Sequence, residues 1–258
     1  MRLNSEVPMH YGFPQANTVF LALEAAHTDG QEIAEEWITF GDATIDRIAG
    51  DSGVGQRVWA RVPGTEMYLT YRARVDVTRE NAPLDTLAAV PIHRLPAEVA
   101  PYLRPSRYVQ SDKFVAFVNK RFGNLDGGAK VAAIRDWIEQ NLSYVPGSSD
   151  TDTNVLETFA GRQGVCRDYA HLMCAMVRAA QIPARMVAAY GPDVWPADFH
   201  AVAEVWLDDA WHLVDPTGMG TPETLAKIAV GRDAYDIAFM ESQAPANLIY
   251  QAVSVVRG

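Results

Sequence analysis

A thiol, an imidazole and a carboxylate are the residue types that acyl transfer through a covalent thioester requires. In this chain they stand at Cys166, His200 and Asp215. Cys166 follows Gly161-Arg162-Gln163-Gly164-Val165 and opens a helical pattern, with apolar residues at Tyr169, Leu172, Met173, Met176, Val177 and Ala180. Pro183 closes it, because proline cannot continue a helix. The cysteine is therefore expected in the first turn, where unpaired N–H groups and the helix dipole stabilise a thiolate. A free thiol needs that help, its ordinary pKa being about 8.5. Cys174 lies mid-helix between Met173 and Ala175 and reads as a small buried hydrophobe.

A nucleophilic thiol needs a base, and the base needs an orienting group. Histidine occurs at 10, 27, 93, 171, 200 and 212. His171 shares the helix of Cys166 but points about 140° away from it, and His93 reads as a surface residue. His200 and His212 fall on two strand-like runs separated by Asp208-Asp209. A two-residue turn there pairs Leu207 with Ala210, Trp206 with Trp211 and Val205 with His212. Side chains alternate along strands. His200, Val202 and Asp215 then share one face, with His200 and Asp215 about 7–8 Å apart at Cα. His212 falls on the other face, so a His–Asp–His metal set does not form. A one-residue slip would reverse this arrangement. Pro216 holds Asp215 extended.

The elements that position these residues follow from patterning. Residues 1–80 read as β-structure. Met67, Leu69, Tyr71, Ala73, Val75 and Val77 alternate strictly with polar neighbours, and shorter runs surround Val19–Leu23, Ile33–Phe40 and Val58–Val62. The arginines at 57, 61, 72 and 74 are expected on the solvated face. Residues 81–106 carry five prolines and read as an extended connector. Helices are expected from Ser111 or Asp112, from Asp126 and from Asn154, each a capping residue type. After Pro183 come strand-like runs at 184–190, 199–207 and 211–214. Leu225–Val230 reads as helix and Leu248–Val256 as a last strand. The order is a β-rich, sandwich-like domain over 1–100, then an α+β catalytic core over 101–258 with helices packed on an antiparallel sheet.

The chain has 258 residues, 48% hydrophobic and 21% charged, enough for a sizeable core. Its net charge of −10 argues against nucleic acid and anionic membranes, which are bound by clustered Lys and Arg. The two cysteines lie about 12 Å apart on one helix, beyond the roughly 7 Å limit for a disulfide. Two free thiols suit a reducing cytoplasm. Neither a signal-peptide pattern nor a membrane-length apolar run is present, and the expected location is cytoplasmic.

Gly164-Val165-Cys166-Arg167-Asp168-Tyr169-Ala170-His171-Leu172 resembles the cysteine segment of the transglutaminase-like superfamily. Phe199-His200-Ala201-Val202-Ala203-Glu204-Val205 resembles its histidine strand, and Trp211-His212-Leu213-Val214-Asp215-Pro216-Thr217 its aspartate segment. The resemblance covers residues 110–220 and implies a papain-like core with a Cys–His–Asp triad. It implies that Cys166 attacks a carbonyl, His200 moves the proton and Asp215 orients His200. The backbone N–H of Cys166 is one oxyanion donor, and Tyr144 is a candidate second donor. Trp195, in the loop before His200, is a candidate substrate contact. The animal cross-linking enzymes carry tryptophan where Arg167 stands here, and they bear calcium sites, whereas no calcium-loop pattern occurs. Bacterial members with the Arg-Asp pattern look more like thiol hydrolases of amide or peptide bonds. An acyltransferase using the same triad is the alternative, and a non-catalytic interaction module on the same fold is a third reading. No cofactor or metal is implied. The expected partner is a peptide or amide substrate, proteins included.

Overall fold

The computed structural model describes residues 1–258. The chain begins with β1 (Arg2–Gly12), β2 (Asn17–Leu21), β3 (Gln31–Thr39), β4 (Thr44–Ala49), β5 (Gln56–Val62) and β6 (Glu66–Val77). A connector with short 3₁₀ turns leads to α1 (Val115–Phe122), α2 (Gly127–Asn141), β7 (Ser143–Tyr144), α3 (Val155–Gly161), β8 (Gln163–Gly164) and α4 (Cys166–Ala179). Then follow β9 (Ala184–Tyr190), β10 (His200–Leu207), β11 (Ala210–Val214), β12 (Ala226–Gly231), β13 (Met240–Ser242), β14 (Asn247–Gln251) and β15 (Ser254–Arg257). The result is the expected α+β architecture. No helix is long and apolar enough to cross a membrane.

Two antiparallel sheets form the β layer. One has the order β3–β6–β1, with β14 and β15 both on the outer edge of β1, and the other runs β4–β5–β2–β13. Burial alternates along β6 as its period-two pattern predicts. β1 alternates too, burying Leu3, Ser5, Val7, Met9 and Tyr11, although Ser5 weakens its apolar pattern in the sequence. Residues 240–257, expected beside the catalytic elements, return to this layer and contribute β13, β14 and β15. The single strand expected over Leu248–Val256 is broken at Ala252-Val253. Arg61, Arg72 and Arg74 lie on the wet face, but Arg57 is buried. It sits at the start of β5, ion-paired to Asp51 at 2.9 Å and bonded to the carbonyl of Asp236.

The sheet of the second half has the order β11–β10–β9–β12, all antiparallel. The Leu225–Val230 run, read as helix, falls from Ala226 onwards in its edge strand β12. A short apolar run buried on all sides carries no period that separates strand from helix. One contiguous apolar core runs from the β layer to α4 and the near face of this sheet. A smaller cluster joins Val187, Val202, Leu213 and Val230 on the other face to Ala26 and Val54 of the β layer. The connector is pinned to this unit, because Asp208 N–H donates to the Ala88 carbonyl at 3.0 Å and Gly128 N–H to the Leu87 carbonyl at 2.8 Å. A Cβ on Gly128 would meet the Leu84 carbonyl oxygen at 1.6 Å, so glycine is needed for that approach.

α4 is buried from Asp168 to Ala179. Each large side chain on it, Leu172, Met173 and Met176 among them, contributes about 1.5–3 kcal/mol by leaving water. His171 is buried as well. Its ring stacks on Tyr108 at 5.3 Å, and its Nε2 accepts the Ala234 N–H at 3.1 Å. Burial, helped by the nearby Arg167 charge, pushes its pKa down to about 3. A depressed histidine contributes stability above its ordinary pKa of about 6.5, which is lost as the pH falls towards 3. The wild type is therefore expected to lose up to about 1.4 kcal/mol per pH unit below pH 6.5 from this residue. His171→Gln keeps an acceptor for Ala234, and denaturant unfolding from pH 7 to 4 should show a flatter slope. Identical slopes would refute the assignment.

Candidate active site

α4 starts at Cys166 with Val165 as its N-cap. Valine has no capping oxygen, and Asp168 at the third helical position takes over by accepting the Val165 N–H at 2.9 Å. The Asp168 carboxylate is fully buried and also accepts Ser149 Oγ and the guanidinium of Arg167, the latter at 3.2 Å. Arg167 in turn donates to the Asp150 carbonyl at 2.6 Å. The two residues after the cysteine thus fasten the 145–154 loop onto the head of α4. Gly164 permits the close approach, since a Cβ there would lie 2.6 Å from that of Asp168. The helix ends as Gln181 turns left-handed at φ +62 just before Pro183, with Ile182 N–H returning to the Val177 carbonyl at 3.1 Å.

The β10–β11 register matches the one expected: Leu207 opposes Ala210, Trp206 opposes Trp211 and Val205 opposes His212. Asp208 and Asp209 both have positive φ, at +48 and +58, the conformation of a type I′ hairpin turn. That turn carries His200 and Asp215 together. His200 Nε2 and Asp215 Oδ2 are 2.7 Å apart, and both side chains are essentially inaccessible to water. The other carboxylate oxygen accepts the Thr217 N–H at 2.8 Å and its hydroxyl at 2.7 Å. Thr217 was not singled out from the sequence, though an Asp-x-Thr turn is a known way of holding a carboxylate.

The second imidazole nitrogen, Nδ1, is buried and makes no hydrogen bond elsewhere in the protein. The Cys166 thiol lies beside the ring. It is partly accessible and donates to the Phe199 carbonyl at 3.9 Å. Burial alone would lower the His200 pKa, but the Asp215 carboxylate and the Cys166 sulfur outweigh it and lift the value to about 10. The imidazole is therefore held as the cation at neutral pH. Cys174 is buried and its thiol is pushed up to about 11 by desolvation, the state of an inert cysteine.

Tyr144 reaches the same place from β7, which pairs in parallel with β8 so that Tyr144 opposes Gly164. Its phenol is pushed well up, first by burial and then by the neighbouring Cys166 sulfur. The ring packs 5.9 Å from Tyr169. Cys166, His200, Asp215 and Tyr144 are thus brought together. Trp195 is not packed among them: its indole is 77% exposed on the 191–199 loop. His212 donates through Nε2 to the Leu207 carbonyl at 3.1 Å, apart from the His200–Asp215 pair.

The chain has counterparts among known proteins. Residues 116–216 match the family model of the transglutaminase-like superfamily. The crystal structure of a candidate cysteine protease from Cytophaga hutchinsonii is similar over 100% of this chain and 90% of that one, with a TM-score of 0.91 and 32% identity. The uncharacterized protein ML0607 of Mycobacterium leprae is 31% identical over 147 residues, 53% of this chain and 52% of that protein. A protein-glutamine gamma-glutamyltransferase of Pseudomonas aeruginosa is 38% identical over 90 residues, 31% of this chain and 13% of that enzyme. The chain thus spans about half the length of the first curated relative and a small part of the second.

Proposed function

Because the chain belongs to the transglutaminase-like superfamily, a family of cysteine-based hydrolases and transferases, we propose that it is a thiol hydrolase of amide or peptide bonds that works through an acyl-enzyme thioester. One observation carries the reading: His200 lies between Asp215 on Nε2 and the Cys166 thiol beside the ring. In the first step the Cys166 thiolate attacks the carbonyl carbon. The C–N bond then breaks as the His200 imidazolium gives its proton to the leaving amine. Neutral His200 next takes a proton from water. The resulting hydroxide adds to the thioester, the C–S bond breaks and the acid leaves. Asp215 fixes the tautomer of His200 and stabilises its cation throughout. The Cys166 N–H and the Tyr144 phenol are the donors available to the oxyanion.

Acyl transfer to an amine uses the same thioester and differs only in what resolves it. The match to a protein-glutamine gamma-glutamyltransferase is the observation that favours this second reading. The test is mass spectrometry of the protein incubated with a peptide-amide library, with and without methylamine. Acid products and an acyl adduct on Cys166, both absent in Cys166→Ala, are the expected outcome. Methylamides in place of acids would favour transfer. Unchanged turnover by Cys166→Ala would overturn both readings.

A further inference from the structure

Asp198 stands two residues before His200 at the end of the 191–199 loop, and it is exposed. Its Oδ1 is held by the Phe199 N–H at 2.8 Å. The carbonyl of that same Phe199 accepts the Cys166 thiol. The carboxylate is therefore one residue removed from the group that touches the nucleophile. Three nearby acidic side chains are paired: Asp193 with Arg257, Asp168 with Arg167 and Asp215 with His200. Asp198 has no Lys, Arg or His within ion-pairing distance. Two phenols sense its charge, Tyr144 against the thiol and Tyr11 on β1, and both hold their protons more tightly for it.

A carboxylate without a counter-ion at the mouth of the site is a ready partner for a cationic group of the substrate. The net charge of −10 favours the approach of such a group. From this placement we infer that Asp198 is a recognition residue which takes a primary ammonium group of the substrate beside the thiol. With Oδ1 committed to Phe199, one oxygen remains, which suits the point charge of an ammonium better than the two-pronged fork of a guanidinium. The inference rests on Cys166 acting as the nucleophile, as proposed above.

The test uses thiol reagents of different charge on the full chain carrying Cys174→Ser. The reagents are 2-bromoethylammonium, neutral iodoacetamide and anionic iodoacetate. In each, the thiolate attacks the carbon that carries the halogen, so a C–S bond forms as the carbon–halogen bond breaks and halide leaves. Comparing variants reagent by reagent cancels the leaving group. Asp198→Asn is expected to slow the cationic reagent and speed the anionic one relative to iodoacetamide, moving the ratio of the two by about tenfold at low salt. Asp198→Glu should keep the wild-type ratio, and high salt should shrink the difference. Equal ratios in wild type and Asp198→Asn would overturn the inference. Failure of wild-type Cys166 to react with iodoacetamide would instead overturn the reading of the thiol. The source of the ammonium follows from two further arms. A loss in Asp198→Asn confined to peptide amides with a free α-amine, and absent from their acetylated forms, places it on the acyl donor. A loss confined to transfer to cadaverine places it on the acceptor.

Discussion

His200→Ala is expected to lower kcat/KM on any responsive amide by roughly 10³-fold or more, while leaving a folded protein. In the proposed mechanism the side chain supplies both the charge that favours the thiolate and the proton that the leaving amine needs. Asp215→Asn should approach the same loss by a different route. An amide at 215 would still be held by Thr217, but it cannot stabilise the imidazolium facing it at 2.7 Å. The pH dependence separates this from a general structural effect. His200 titrates at about 10 in the fold, against about 6.5 when free. A raised pKa means that the stabilisation is fully present below about 6.5 and is lost as the pH rises towards 10. Unfolding midpoints of the wild type should therefore fall between pH 7 and 10, and those of Asp215→Asn should fall less. Parallel pH profiles, or a His200→Ala variant of wild-type activity, would contradict the triad.

Glu204→Gln is expected to be the most destabilising conservative change in the sheet that holds His200, by about 3–5 kcal/mol. Glu204 is buried on β10 between Arg185 on β9, at 2.7 Å, and Lys227 on β12, at 3.0 Å. Burial alone would raise its pKa, but the two cations hold it below the usual carboxylate range. Its stabilisation is present above the ordinary pKa of about 4.3 and is lost as the pH falls through the lower folded value. An amide leaves two buried cations without their anion, and Lys227 is already pushed down by desolvation. At about 2–4 °C per kcal/mol for a chain of this size, Tm should drop by roughly 6–20 °C. Replacing Arg185, Glu204 and Lys227 together with apolar residues should restore much of the loss, since the cost lies in unpaired charge. A calorimetric scan of the single and triple variants decides between this and a merely solvated ion pair.

The placement of Cys166 at a helix start and of His200 beside Asp215 was legible because each follows from a local rule. A helix start locates the thiol, and a two-residue turn fixes the parity of two strands. Tyr144 was reachable only by resemblance, because the contact that delivers it is a short parallel pairing of β7 with β8, which leaves no periodic mark. The capping bond of Asp168 was not read from the motif that contains it, although its place, third in the helix, is where a side chain can reach back to the cap. The Arg185–Glu204–Lys227 set and buried Arg57 were hidden for a common reason. Alternation assigns charged strand residues to water, and it cannot see a second layer laid over that face. The same blindness made β12 look like helix and kept residues 240–257 from being assigned to the layer they complete.

That return carries a consequence for how the molecule is made. Leu3 pairs with Arg257 and Met9 with Gln251, so β1 waits for partners nearly a chain length away. Closing so long a loop carries an entropic cost that local hairpins avoid. The sheet holding His200 needs only residues 184–231, and a ribosome delivers these before β14 and β15 exist. The sheet that holds His200, with α4 already made before it, is therefore free to assemble first. Until the last residues emerge, the outer edge of β1 shows unpaired N–H and C=O groups to every neighbouring nascent chain, and β14 and β15 act as the cover that ends that exposure.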